Sequence, residues 1–276
     1  MDLFEVTGKA KAFVVFNLYI KTSFAPSQFP SEPSVVKKML DILFEDEHLI
    51  IIDKPAGLLV HRTRQAFGED ENALIQLRDQ IGSWVAPVHR LDRATSGTLL
   101  FAKNEAILPL LKAQFSDRKV EKTYLCIVRG IPAEKKGLID HPLTSERSGK
   151  LQEAQTVYNV IAESEIPFNS TGRYPTSRYS LLEVDLMTGR THQIRRHLAH
   201  IRYYIIGDKK HGDNKQNIFF EKQFELKNLL LHAWKLSINH PISGEKIAVT
   251  CPVPVHFRTI MHNLAWEPNE ILQTST

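Results

Sequence analysis

The sequence predicts an α+β fold, on three observations. Strand-like and helix-like apolar spacings are mixed along the chain without the regular alternation of parallel βα units. Two short connections, the acidic Glu45-Asp46-Glu47 step and Pro241-Ile-Ser-Gly-Glu245, sit between strand-like runs and read as antiparallel hairpin turns. Hydrophobic residues make up 42% and charged residues 24% of 276 residues, enough apolar material for a sizeable core and no case for a fibrous or mostly disordered chain.

In chain order, Ser23 to Ser34 reads SFAPSQFPSEPS, whose three prolines and four serines are linker composition. Lys9 and Lys11 followed by Phe13 to Ile20 imitate a secretory signal, but that apolar run is short and broken by Asn17. Residues 1–38 are therefore expected to be a disordered extension or the product of an upstream start codon, with folded structure over residues 39–276. Ile42 to Phe44 and Leu49 to Ile52 are the strands of the first hairpin. Leu74, Leu77 and Ile81, and then Ile107, Leu108, Leu111 and Phe115, have helical spacing. Thr98 to Ala102, Tyr124 to Val128, Ser180 to Val184 and Leu229 to Ile238 read as strands.

Composition narrows the function classes. A net charge of +4 mildly favours a polyanionic partner. Cys126 and Cys251 form no CxxC pair, so neither a disulfide framework nor a structural zinc site is indicated, and a reducing cytoplasm is the expectation. No apolar stretch reaches the roughly 18 residues that span a bilayer, so no membrane partner is expected. Nothing implies an obligate protein partner, and a monomer is expected.

The chemistry-bearing residues concentrate in two segments. His89-Arg-Leu-Asp-Arg-Ala-Thr-Ser-Gly97 sets a carboxylate and two arginines in a loop before a strand. Arg90 and Arg93 suit phosphate contact, while Asp92 at such a surface suits covalent or proton-transfer work. An ion pair that merely shapes the loop explains Asp92 equally well on residue types alone. The second segment runs from Met187 to Ile201, where Gly189 ends a strand, Thr191 is placed to cap a helix, and Ile194, Leu198 and Ile201 form its core stripe. His192, Arg195 and Arg196 then lie on other faces of that helix.

HRLDRATSG and TGRTHQIRRH together resemble motifs II and III of the RluA-type pseudouridine synthases. Ile52-Asp-Lys-Pro-Ala-Gly57 resembles motif I, and Glu121-Lys-Thr-Tyr124 the segment that carries the family's tyrosine. The resemblance implies a pseudouridine synthase fold with a mixed, mostly antiparallel central sheet flanked by helices and loops and a catalytic cleft across the sheet. It assigns Asp92 as the essential carboxylate, Arg195 as its partner and Tyr124 as the ring that meets the uracil. Arg90 would fill the space of the flipped nucleotide, Leu91 and Ile194 would wall the cleft, and Arg190 and His192 would contact substrate. Lys54 and Pro55 would brace the first turn. The isomerisation has no net redox change, so no cofactor is expected.

Asp79-Gln-Ile-Gly82, Thr171 to Tyr179 and Ile206 to Asp213 resemble the branch of the family that acts on tRNA, at uridine 65. Ribosomal RNA is the alternative target; RluA-type enzymes often carry an N-terminal S4-like module, for which residues 1–38 are too short. Arg173, Arg178, Arg202, Lys209 and Lys210 are expected to contact the RNA backbone. Two other classes compete: a non-catalytic RNA-binding protein, opposed by the intact Asp92, Tyr124 and Arg195, and a metal-dependent hydrolase using histidines 192, 197, 200 and 211 with Asp208 and Asp213. His192 and His197 are five apart rather than the four of helical zinc motifs, so no metal site is expected.

Overall fold

Leu49–Ile52 and Thr98–Ala102 lack polar alternation because both faces of their strands are covered. The computed structural model describes residues 39–61 and 71–273. The expected extension, residues 1–38, lies outside the described residues. In order, the elements are β1 (Asp41–Glu45), β2 (Leu49–Lys54), α1 (Ala73–Ile81), β3 (Ala86–Pro87), β4 (Ser96–Ala102), α2 (Ile107–Ser116), β5 (Glu121–Arg129), β6 (Lys136–Asp140), β7 (Leu143–Thr144), β8 (Leu151–Gln152) and β9 (Gln155–Ile166). There follow β10 (Ser177–Leu186), α3 (Gln193–His200), α4 (Asn214–Phe224), β11 (Leu231–Asn239), β12 (Lys246–Thr250), α5 (Val255–Asn263) and α6 (Pro268–Gln273).

The main sheet has the order β1-β2-β4-β11-β5-β10-β9-β6, with β12 on β11 and β3 on β4. Every pairing in it is antiparallel except β4 with β11, where His232 opposes Ser96 and Ala233 opposes Gly97. This is the expected α+β architecture with a mixed, mostly antiparallel sheet. Successive residues of β5 serve opposite faces: Tyr124 and Cys126 join one core with Leu182, Ile194, Leu198 and Leu231, while Leu125 and Ile127 join another with Trp234, Phe257 and Ile260. Among the described residues no helix is long and apolar enough to cross a membrane.

The parallel contact positions the chemistry. Gly97 has φ +112°, and a Cβ added there would lie 2.2 Å from the Ala233 carbonyl oxygen. Only glycine lets β4 approach β11 that closely, which fixes where the preceding loop of residues 88–95 emerges.

Two histidines anchor the same region in neutral form. His89 Nε2 accepts the Leu100 N–H at 3.1 Å and its ring stacks on Phe115, while His232 Nδ1 meets Ser96 Oγ at 2.9 Å. Burial pushes their pKa values down to about 3 and about 4, against roughly 6.5 in an unfolded chain. Between pH 6.5 and 4 the unfolded state therefore binds protons that the folded state refuses. Stability is full above that interval and falls on acidification by about 3 kcal/mol per histidine at pH 4. Urea unfolding followed across the interval should show a steadily falling midpoint, shallower in His232→Asn; a flat midpoint would contradict the assignment.

Candidate active site

The loop between β3 and β4 is clamped from behind. Lys54, wholly buried at the end of β2, donates to the carbonyls of Pro55 (2.8 Å), Leu58 (2.9 Å) and Arg93 (3.2 Å). The Gly57 N–H donates to the Arg93 carbonyl, and Arg93 Nε returns a bond to the Gly57 carbonyl. Burial lowers the Lys54 pKa to about 7, with the charges of Asp92 and Asp53 opposing the shift. The expected bracing by this first turn is thus carried by the Lys54 ammonium, and Arg93 spends part of its guanidinium on the same brace. Asp92 sits at the front of the loop with its side chain 19% exposed.

Helix α3 delivers the cation, in a way that corrects two expectations. Its N-cap is His192, in the left-handed region at φ 54°, and no side chain caps the helix, so Thr191 does not do so. The entry is tied instead by Gln193, whose Oε1 accepts from Thr188 Oγ1 and the Arg190 N–H while its Nε2 donates to the Gln155 carbonyl and Thr156 Oγ1. Arg195, expected on a face other than the core stripe, is itself buried beside Ile194 and Leu198. What draws it inward is Asp208, which takes Nε at 2.7 Å and Nη2 at 2.8 Å and leaves Nη1 to reach Asp92 Oδ2 at 3.0 Å.

Asp208 is itself fully engaged, accepting the backbone N–H groups of Lys210 and His211 as well. Burial opposes both charges, yet the Arg195 bond and those two N–H groups hold the Asp208 pKa below the usual carboxylate range. Burial likewise works against Arg195, and Asp208 first and Asp92 second raise its pKa above the normal arginine value. Gly207 makes the placement possible: at φ +81°, its Cβ would lie 2.1 Å from the Asn228 carbonyl oxygen.

Around this pair lies a cleft of about 220 Å³ lined by Arg90, Leu91, Asp92, Tyr124, Arg190, His192, Ile194 and Arg195. A single water needs about 10–15 Å³ on such a scale, so a planar base with its sugar has room. Leu91 and Ile194 are buried walls, Tyr124 is buried between Val184 and Ala233, and Arg90 is exposed. Burial, and then the charge of Asp92, push the Tyr124 phenol well above its ordinary range, so it meets a ligand neutral. His192 Nε2 is 3.8 Å from Asp92 Oδ2, and its Nδ1 is 3.0 Å from His211 Nε2. Burial lowers its pKa, partly offset by Asp92, so this ring is neutral too. Arg190 Nε is bonded to the Glu153 carbonyl.

The backbone candidates separate. Arg178 and Tyr174 line a second groove with Arg129, and Arg173 lines an adjoining one with Arg129 and Lys215; Arg178 is paired with Glu165, and Arg173 lies over the Tyr174 ring. Arg202 follows α3 in the left-handed region, and exposed Lys209 and Lys210 directly follow Asp208. The side chains of the competing metal reading go to separate tasks: His197 bonds Thr156 Oγ1 and the His141 carbonyl, His200 stacks on His141, and Asp213 caps α4 and pairs with Arg129. Among the described residues no group of three or more such side chains could hold a metal ion.

Sequence reasoning missed Asp208 as the partner of Arg195, and missed Lys122 and Phe115, which line the same cleft. The Ile206-Gly-Asp208 step, a carboxylate after a glycine in a basic segment, was the available pointer to the first, although Gly212-Asp213 repeats it; the other two sit on a strand and a helix with nothing to distinguish them.

The profile of the RNA pseudouridylate synthase family matches residues 48–200. The chain is 43% identical over 236 residues to the tRNA pseudouridine synthase C of Haemophilus ducreyi, covering 82% of this chain and 96% of that one. It is 40% identical over 238 residues to the protein of the same name from Vibrio parahaemolyticus, covering 83% and 96%. Human RNA pseudouridylate synthase domain containing 1 shares the fold, with a TM-score of 0.66 at 23% identity over 88% of this chain and 97% of that one. The chain belongs to the RNA pseudouridylate synthase family.

Proposed function

We propose that the protein converts uridine to pseudouridine in tRNA, at position 65, with residues 39–276 as the catalytic domain and Asp92 as the group that engages the ribose. The observation that carries this reading is the Asp208–Arg195–Asp92 relay, in which a buried guanidinium presents one partly exposed carboxylate to an open cleft. The curated relatives named for action on tRNA support the substrate class.

A uridine stacked in RNA leaves its stack at a cost of a few kcal/mol, and the exposed Arg90 guanidinium at the cleft fills the vacated space in this reading. Asp92 either attacks C1′ or removes a ribose proton; both routes need an ionised oxygen held against the sugar, which Arg195 provides. The N1–C1′ bond breaks, the uracil turns, and C5 bonds to C1′. N1 gains a proton, C5 loses one, and the carboxylate is regenerated, so atoms balance without a cofactor. Tyr124 stacks on the uracil as a neutral phenol. Leu91 and Ile194 exclude water from the reacting atoms, and Arg190 and His192 line the sugar's approach.

Arg173, Arg178, Arg202, Lys209 and Lys210 supply backbone contacts. The buried free thiols of Cys126 and Cys251 suit a reducing cytoplasm. The test is to incubate the protein with tRNA and ribosomal RNA lacking pseudouridine and map the product: modification at tRNA position 65 is expected, and product confined to ribosomal RNA would overturn the substrate.

A further inference from the structure

Strands β7 and β8 form a two-stranded arm apart from the main sheet, with Ser145 to Lys150 as its tip. The arm reaches across α3: Arg196 Nη1 donates to the Thr144 carbonyl at 2.9 Å. At the tip, Glu146 Oε1 lies 2.6 Å from Lys210 Nζ and 3.9 Å from His192 Nδ1. The other nitrogen of that imidazole faces Asp92. One ring therefore separates the Glu146 carboxylate from the Asp92 carboxylate.

A carboxylate is an odd thing to find there. Lys210 approaches it from the turn after Asp208, and His192 and Arg196 from the start of α3; the Lys210 hydrogen bond, with the Lys210 and Arg196 charges, holds the Glu146 pKa below the usual range. Two cationic side chains and a neutral imidazole around one exposed anion beside a ribose site match the chemistry of a phosphodiester oxygen. The geometry points to Lys210, Arg196 and His192 as a phosphate subsite for the RNA backbone flanking the extruded nucleotide, filled in the free protein by Glu146 and vacated when RNA displaces it. This rests on the reading of the protein as an RNA-modifying enzyme and adds a specific contact and a competitor for it. The tip also carries Arg147 and Lys150, so that releasing Glu146 leaves the arm basic where it meets RNA.

The test uses the full chain carrying Asp92→Asn to stop turnover, with tRNA transcript as the probe and binding measured over a range of salt. Glu146→Gln removes the competitor and should tighten binding about two- to fivefold, the worth of one exposed ion pair, without changing the salt dependence. Lys210→Ala should weaken binding and lower the slope of log K against log salt by about one. In the double variant, Glu146→Gln should lose its gain, because its effect acts through Lys210. Both positions are exposed, and matching melting temperatures verify that the variants fold. Binding by Glu146→Gln that is equal to or weaker than the parent, or an unchanged slope in Lys210→Ala, overturns the subsite. Protein with native Asp92 that makes pseudouridine alongside such a result leaves the function standing and removes the subsite alone; protein that neither binds RNA nor makes pseudouridine removes both.

Discussion

Asp92→Asn should bind RNA with nearly unchanged affinity and form no pseudouridine, a loss of about 10⁴-fold or more in single-turnover rate, the scale seen when a nucleophile is deleted. The amide is nearly the same shape as the carboxylate, so the cleft keeps its walls and the Arg90 position. What it loses is the negative oxygen that either route at the ribose requires. Folding should hardly notice: Arg195 keeps both bonds to Asp208, so no buried charge is stranded, and the cost is that of one hydrogen bond, about 1 kcal/mol. Binding and product formation measured on the same preparation separate the two effects. Turnover within tenfold of the wild type would remove Asp92 from the chemistry.

The same residues show what sequence could and could not reveal. The hairpin of β1 and β2 and the strands β4, β5, β10 and β11 were legible because each is a short apolar run bounded by turns. Asp92, Tyr124 and Arg195 were legible as a set only through family motifs; residue types alone left Asp92 as readily a loop-shaping ion pair. Strand β9, 12 residues long, escaped because most of its positions are only half-buried and its register against β10 shifts between Val160 and Ala162, so no single apolar run marks it. Arg195 was expected off the core stripe because helical periodicity reports which side chains are apolar, not which polar ones find a buried partner. That partner, Asp208, comes 13 residues later, and a local pattern does not encode a pairing made by a turn. The contact of Lys210 with Glu146, 64 residues apart, and the parallel pairing of Ser96 with His232 are more distant still.

Asp208→Asn should be the more damaging change to the molecule although it touches no substrate. Four donors point at this carboxylate: Arg195 Nε and Nη2 and the N–H groups of Lys210 and His211. An asparagine offers one oxygen to accept them and turns two N–H donors of its own toward the remainder. At least one buried donor is left without an acceptor, and the Arg195 charge keeps only Asp92. Breaking a buried ion pair by removing one partner costs about 3 kcal/mol or more, which for a domain of this size lowers the melting temperature by roughly 6–12 °C. The rate should fall as well, because a guanidinium released from Asp208 shifts toward Asp92 and misplaces its oxygen, and an error near 1 Å at a reacting group costs about 10²-fold. A merely structural role would reduce the amount of folded enzyme without altering its kcat. A positioning role lowers kcat per folded molecule, leaves KM for RNA close to that of the wild type, and is partly rescued by Asp208→Glu, which restores the charge at a longer reach. Wild-type melting and wild-type kcat in Asp208→Asn would mean that Arg195 orders Asp92 without help.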